Sequence, residues 1–466
     1  MHKNDELIGN VSAIGSNMEG IVRINEFICF VPYALLGEKI KFKVLKITKN
    51  IAFCKLLEVL TPAEERVRPV CRVFTKCGGC QLQHVKYKEQ LKLKTNLVSD
   101  CFKKIAGISV KVSPCFKSDA EYEYRNKLQL PIRSVGGEPK IGFFAESSHR
   151  IVETDDCPIQ QSWTKNVISV FKEFINATGI SCYDESSFQG LLRHVVVRNV
   201  DKALIIVVVI NGTSLYKSEV LISLLAKRFL KFSLYVNENL STSNVILGEK
   251  NTLLFGDGVY EDEEFSIKYP VTPMSFMQVN SAVKRKLYND VIKTINADEN
   301  TTVIDAYSGA GLMTAMLAKN AKKAIGIEIV SEAVDAANKL AVKNSLSHKI
   351  TNYCAPCEDK LPEIISEIRA EKGNVAVVLD PPRKGCDKRV LQALNKALPN
   401  KIVYVSCSPQ TLARDLGILT GSLVYENNEL KRCETPNGNY VIEKVQPYDM
   451  FPQTKHVETL VLLTRK

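Results

Sequence analysis

From Val279 to Lys466 the sequence alternates helical and strand periodicity, and no other feature constrains the fold as strongly. The pattern predicts helix Asn280–Ile295, strand Thr301–Asp305, helix Leu312–Asn320, strand Ala324–Glu328 and helix Ser331–Asn344, and it continues to the end. Such alternation implies a doubly wound α/β sheet with right-handed crossovers and ligand sites at the carboxyl ends of its strands. It leaves more than half of the 466 residues to other architecture, and that length predicts about three domains.

The first sixty residues read as short alternating strands: Ile8–Ile14, Ile21–Ile24, Phe27–Pro32, Lys39–Lys46 and Ile51–Leu60, broken by Gly15, Gly20, Asn25 and Gly37. This pattern predicts a small antiparallel, OB-like β-barrel. Thr61–Pro69 reads as a linker. Residues from about Ser113 to Phe255 read as α+β, with a hairpin pairing His194–Asn199 with Ala203–Ile210. Ala203–Ile210 is the longest apolar run, far below the ~20 residues of a membrane span, so no membrane association is expected.

Charge points to a polyanionic partner. Lys and Arg number 62 against 51 Asp and Glu, a net of +11. From Thr61 to Val110 ten basic residues (Arg66, Arg68, Arg72, Lys76, Lys86, Lys88, Lys92, Lys94, Lys103, Lys104) face four acids, a net of +6. This strip reads as a phosphate-tracking surface or as the solvated face of a helix over Tyr87–Ile105. Met1–Gly15 lacks the charged head and apolar segment of a secretion signal, so the chain is expected to be cytoplasmic and its fourteen cysteines reduced. Nothing in the sequence calls for an obligate protein partner.

The predicted strand ending at Asp305 runs into Asp305-Ala306-Tyr307-Ser308-Gly309-Ala310-Gly311, a tight turn opening a helix. Glu328 ends the next strand, where a carboxylate can accept both hydroxyl protons of a ribose. A third glycine near Thr314 is absent, which disfavours a pyrophosphate cofactor and favours S-adenosylmethionine. Strand Val375–Leu379 leads into Asp380-Pro381-Pro382-Arg383-Lys384-Gly385, a stiff loop that fixes Asp380 at the crevice edge. Strand Ile402–Val405 ends at Ser406-Cys407-Ser408-Pro409. Ser408 is a good N-cap and Pro409 a good first helical residue, so Cys407 is predicted beside a helix N-terminus, where the dipole lowers a thiol pKa. In Tyr448–Glu458, spacing alone leaves both His456 and Glu458 as candidate bases.

Cys71, Cys77 and Cys80 form Cys-x5-Cys-Gly-Gly-Cys, a lopsided triplet that suits an iron–sulfur cluster better than zinc. Cys157, followed by Pro158, is the best fourth ligand, with Cys101 and Cys115 as rivals. Cys354 and Cys357 read as a coincidental pair.

Together these residues resemble the S-adenosylmethionine-dependent RNA (uracil-5-)-methyltransferases, in particular the iron–sulfur 23S rRNA type. The resemblance rests on Asp380-Pro-Pro-Arg-x-Gly through Tyr404-x-Ser-Cys407, and on Asp449-x-Phe-Pro-Gln-Thr-x-His456-x-Glu458. It implies a TRAM barrel over residues 1–60, a central RNA-binding domain with a 4Fe-4S cluster over 61–265, and a methyltransferase domain over 266–466. It further implies Cys407 as nucleophile and Glu458 as base. The family's Pro-x-x-Phe-x-Gln-x-Asn pattern falls on Pro273, Phe276, Gln278 and Asn280, implying that Gln278, Tyr307, Glu328 and Asp380 touch the cofactor. Cys71, Cys77, Cys80 and Cys157 would ligate the cluster. Two positions depart from the pattern: Ser408 and Leu312 stand where asparagine is usual. RNA is the implied partner, with 23S rRNA favoured and the T-loop of tRNA the alternative. An adenine or guanine amino-methyltransferase, which would not need Cys407, and a non-catalytic iron–sulfur RNA-binding protein are the competing readings.

Overall fold

A computed structural model describes residues 1–370, 373–427 and 429–466. Five strands, Glu6–Ile14, Gly20–Ile24, Phe27–Val31, Lys39–Thr48 and Ile51–Thr61, close into a barrel around Val22, Val31, Ile40, Phe42 and Val44. The expected linker is tied to it, because Arg66 donates to both carboxylate oxygens of the fully buried Glu38.

A central sheet of seven strands runs in the order Lys250–Phe255, Phe232–Glu238, Ala203–Ile210, Leu192–Val200, Lys127–Val135, Glu138–Phe144, Ile151–Glu153. The predicted hairpin is present, pairing Ala203 with Val200. Its turn residues Asp201 and Lys202 have φ of 43° and 68°, the left-handed pair that a two-residue hairpin demands. Helices Trp163–Thr178 and Ser218–Ala226 cover one face of this sheet.

The C-terminal sheet has the order Ile350–Cys354, Lys323–Glu328, Thr301–Ala306, Asn374–Leu379, Lys401–Ser406, Glu458–Arg465, Tyr440–Tyr448. The first five strands are parallel to their neighbours and the strand Glu458–Arg465 is antiparallel to Lys401–Ser406. The first strand in sequence therefore sits mid-sheet, and the order reverses beside it. That reversal opens a crevice at the carboxyl ends. No helix among the described residues is long and apolar enough to cross a membrane.

The helix predicted over Tyr87–Ile105 is α-helical over Tyr87–Cys101 and widens into a π-turn over Phe102–Ala106. It falls within the stretch assigned to the central domain, yet its buried face packs on the C-terminal sheet. Lys94, fully buried, donates to Asp449 at 2.5 Å and to the carbonyl of Phe451 at 3.1 Å. Gln90 and Gln453 exchange two hydrogen bonds. Replacing Lys94 with methionine would strand a buried carboxylate, so a loss of about 3–5 kcal/mol is expected, read from urea denaturation. The basic strip accordingly divides. Arg66 and Lys94 hold the fold, and Lys86, Lys92 and Lys104 pair with nearby acids. Arg68, Arg72, Lys76, Lys88 and Lys103 remain exposed.

Candidate active site

Strand register brings the candidate residues together. Ser406 pairs with Thr459 on the antiparallel neighbour, so one step beyond the strand end Cys407 stands opposite Glu458. On the other side Leu379 pairs with Tyr404, and Asp380 is the next residue. A cysteine and two carboxylates thus share one edge of the sheet. Ser408 caps the following helix, Pro409–Thr420, by accepting from the Thr411 N–H, with Pro409 at its first turn as predicted.

The electrostatics correct one expectation. The Cys407 thiol is pushed up to about 11 by burial, with Glu458 and Asp380 adding to the rise and Arg383 opposing it. A helix terminus contributes only a local partial charge, and the desolvation of the half-buried thiol outweighs it, with the neighbouring carboxyls adding to the rise as they ionise. Glu458, 4% exposed, is pushed up to about 8 by burial and by Asp380, again against Arg383. Asp380, the first residue past its strand, is exposed to solvent although many protein atoms surround it. That surround and Asp305 push its carboxyl up, and the open face tempers the rise. Arg383, which sequence reasoning quoted without a role, is thus a cation close to the candidate groups Cys407 and Glu458.

The second candidate base is set aside by its surroundings. His456 packs edge-on against Phe451, with centroids 5.9 Å apart, and burial with Arg383 and Lys455 pulls it down to about 4. It is neutral at physiological pH, and its loop is bolted through Gln453, whose carbonyl accepts from Gln81 and Leu82.

Beneath the Asp-Pro-Pro loop lies a network absent from the sequence reading. Asp415, fully buried, accepts from the Tyr404 hydroxyl at 2.6 Å, the Cys386 N–H at 2.8 Å and Arg414 at 2.7 Å. Arg414 also donates to the carbonyls of Lys384 and Cys386. Gly385, at φ 76°, fits here because a Cβ would lie 2.6 Å from Asp415. This clamp fixes the loop that carries Asp380 and Arg383.

Across the crevice, Glu328 accepts from the N–H groups of Ile329 at 2.8 Å, Val330 at 3.0 Å and Gly309 at 3.1 Å, so its carboxylate is pinned at the strand end beside the glycine turn. Gly311 abuts Ala337, where a Cβ would come within 2.7 Å. Tyr307 takes φ 83° and places its hydroxyl beside the Cys386 thiol. Asp305, buried and bonded to Thr314 at 2.6 Å, is pushed up to about 6 by burial. Tyr288 lies among Asp380, Asp305 and Glu458. Gln278 is half-buried in the loop before helix Ser281–Ile295; its carbonyl accepts from Asn126, and its side chain has no hydrogen bond among the described residues. Asn280 caps that helix and donates to Ser118, a structural role. Leu312 packs into an apolar cluster.

Cys71, Cys77, Cys80 and Cys157 line one cavity of about 180 Å³, together with Phe74 and Arg125. The N–H groups of Ile159 and Gln160 face the Cys157 sulfur, and that of Gly79 donates to Cys77 at 3.4 Å. Burial pushes Cys80 and Cys157 up to about 12. The rivals Cys101 and Cys115 lie in the core under the C-terminal sheet. Among the described residues no three His, Cys, Asp or Glu stand in a metal-binding group, so the four thiols converge on the cavity without the closeness of ligands. Cys354 is exposed and Cys357 buried, which fits no shared site. A larger groove, about 410 Å³, between Pro270 and the helix Ser331–Lys343 contains none of the candidate residues.

The reversed sheet order, the glycine turn and the acid ending the second strand define a class, the Rossmann-like S-adenosylmethionine-dependent methyltransferases. Residues 257–466 match the family described as tRNA (Uracil-5-)-methyltransferase. An uncharacterized RNA methyltransferase of Clostridium tetani is 40% identical over 459 residues, covering 97% of this chain and 95% of its own. One of Clostridium acetobutylicum is 38% identical over 470 residues, covering 99% and 98%. The solved Pyrococcus abyssi tRNA (uracil-54, C5)-methyltransferase, in complex with S-adenosyl-L-homocysteine, aligns with a TM-score of 0.75 at 25% identity, covering 98% of this chain and all of that one. The chain belongs to the tRNA (uracil-5-)-methyltransferase family of RNA methyltransferases.

Proposed function

We propose that this enzyme methylates carbon 5 of a specific uridine in RNA through a covalent bond between Cys407 and carbon 6. The observation that carries the reading is the juxtaposition of Cys407 and Glu458 across neighbouring strand ends, with Asp380 beside them. S-adenosylmethionine supplies an electrophilic methyl on its sulfonium. Gln278, Tyr307, Glu328 and Asp380 are the residues that would hold it, Glu328 through the ribose hydroxyls. Cys407 loses its proton by way of the solvent-exposed Asp380 as Sγ bonds to carbon 6, which leaves the Glu458 carboxylate free for the later step. The displaced π pair moves onto the ring as an enolate, which makes carbon 5 nucleophilic enough to take the methyl. Arg383 offsets the charge that gathers beside the two carboxylates. Glu458 then removes the carbon 5 proton, the carbon 5–carbon 6 double bond re-forms, and the Cys407 thiolate leaves by β-elimination. Reaching the ring requires a uridine in a loop or flipped from its stack.

Cys71, Cys77, Cys80 and Cys157 fit a 4Fe-4S cluster in number, in donor type and in the N–H groups directed at their sulfurs. The cluster would be structural, since methyl transfer moves no electron. The cysteine set supports 23S rRNA as the substrate through the family resemblance; the solved tRNA (uracil-54, C5)-methyltransferase supports tRNA as the alternative. Anaerobically purified enzyme and labelled cofactor, incubated separately with rRNA and tRNA, should place 5-methyluridine in 23S rRNA. Exclusive labelling of tRNA would overturn that assignment.

A further inference from the structure

Lys127 and Arg198 stand directly opposite each other on antiparallel strands of the central sheet. Leu128, Leu130, Val195 and Val197 fill the core on one face of those strands, so alternation puts Lys127 and Arg198 on the other. There the Arg198 Nε donates to the carbonyl of Ser275 at 3.2 Å, which brings the guanidinium against the loop that carries Gln278. Arg198 is 2% exposed, and its Nη1 has no hydrogen-bond partner among the described residues. Like charges directly opposite one another weaken a sheet, and an unpaired buried cation weakens a fold further. No carboxylate among the described residues offsets either charge. Arg125 adds a third cation, near enough that it and Arg198 help burial to push Lys127 down to about 8.

We propose that Lys127 and Arg198 form a binding site for one phosphodiester group of the RNA strand that carries the target uridine. The site rests on the reading of the protein as an RNA methyltransferase, but not on its reaction steps. A phosphodiester carries one permanent negative charge and matches a guanidinium fork through two parallel N–H···O bonds. Asn126, between Arg125 and Lys127, donates to the Gln278 carbonyl and to Ser281, both at 3.1 Å, so a phosphate held here sits at a fixed offset from the crevice. Anchoring the backbone there limits where an extruded base can reach, which is the positional control that a covalent addition needs.

The test uses full-length holoenzyme carrying Lys127→Met or Arg198→Lys. Binding of a fluorescein-labelled oligouridylate is followed by anisotropy across a salt series, and binding of S-adenosylhomocysteine by calorimetry. Lys127→Met is expected to weaken RNA binding about tenfold at low salt, to reduce the slope of log K against log salt by about 1, and to leave S-adenosylhomocysteine binding unchanged. Arg198→Lys keeps the charge but loses the fork, so affinity should fall with the slope retained. If Arg198→Lys does not fold, half-buried Lys127→Met decides alone. An unchanged slope and affinity would overturn the site. So would a matching loss of S-adenosylhomocysteine affinity, which would assign the cations to the cofactor carboxylate. Adduct formation with saturating 5-fluorouridine RNA reads the Cys407 chemistry separately, so failure of this site and failure of the proposed reaction are distinguishable.

Discussion

Cys407→Ala is expected to reduce methyl transfer by about 10⁴- to 10⁶-fold, the scale seen when a covalent nucleophile is removed from its catalytic unit. The loss should appear in kcat with little change in RNA or S-adenosylhomocysteine affinity, because Cys407 bonds the ring only during reaction. The thiol is half-buried and makes no structural hydrogen bond among the described residues, so the variant should melt within a degree or two of the parent. An amino-methyltransferase acting on adenine or guanine would keep its rate in this variant. Full retention of methyl transfer would therefore discard the covalent pathway, and rapid-quench assays with labelled cofactor distinguish the outcomes.

Glu458→Gln is expected to separate the two halves of the reaction. Methylation of carbon 5 should still occur once, but the proton on that carbon has no base to receive it, so the methylated Cys407 adduct should accumulate. Turnover should fall about 10²- to 10⁴-fold, the range for loss of a positioned general base. The parent's pH profile gives an independent reading. A carboxyl pushed up to about 8 is mostly protonated below that pH and cannot accept a proton. Adduct breakdown should thus rise about tenfold per pH unit below 8 and level off above it, and Glu458→Gln should abolish that limb. A profile that levels off near the ordinary carboxylate range would mean that burial and Asp380 do not set this group's basicity.

The sequence made the C-terminal half legible because its strands and helices carry distinct periods and each candidate group sits at a strand end. The glycine turn, Glu328, Asp380 and Cys407 were all singled out as candidates that way. What stayed hidden depends on contacts between distant segments. Spacing left Glu458 and His456 equal until the antiparallel register of the last strand put one opposite Cys407 and packed the other on Phe451. The thiol pKa was misjudged from the local helix terminus because its burial, and the carboxylates that add to the rise, come from packing between separate strands. Helix Tyr87–Cys101 looked like a basic surface, yet Lys94 is consumed by Asp449, 355 residues away. The central sheet was read only coarsely, since strands such as Ala203–Ile210 are buried on both faces and show no alternation to mark their partners.

The covalent pathway meets its most direct test in peptide mapping of the complex trapped with 5-fluorouridine RNA in the presence of S-adenosylmethionine. Fluorine in place of the carbon 5 hydrogen blocks the step assigned to Glu458, so the adduct should be stable and the crosslinked peptide should contain Cys407 joined to a methylated fluorouracil. A crosslink at any other cysteine, or no crosslink from enzyme that methylates unmodified RNA, would contradict it.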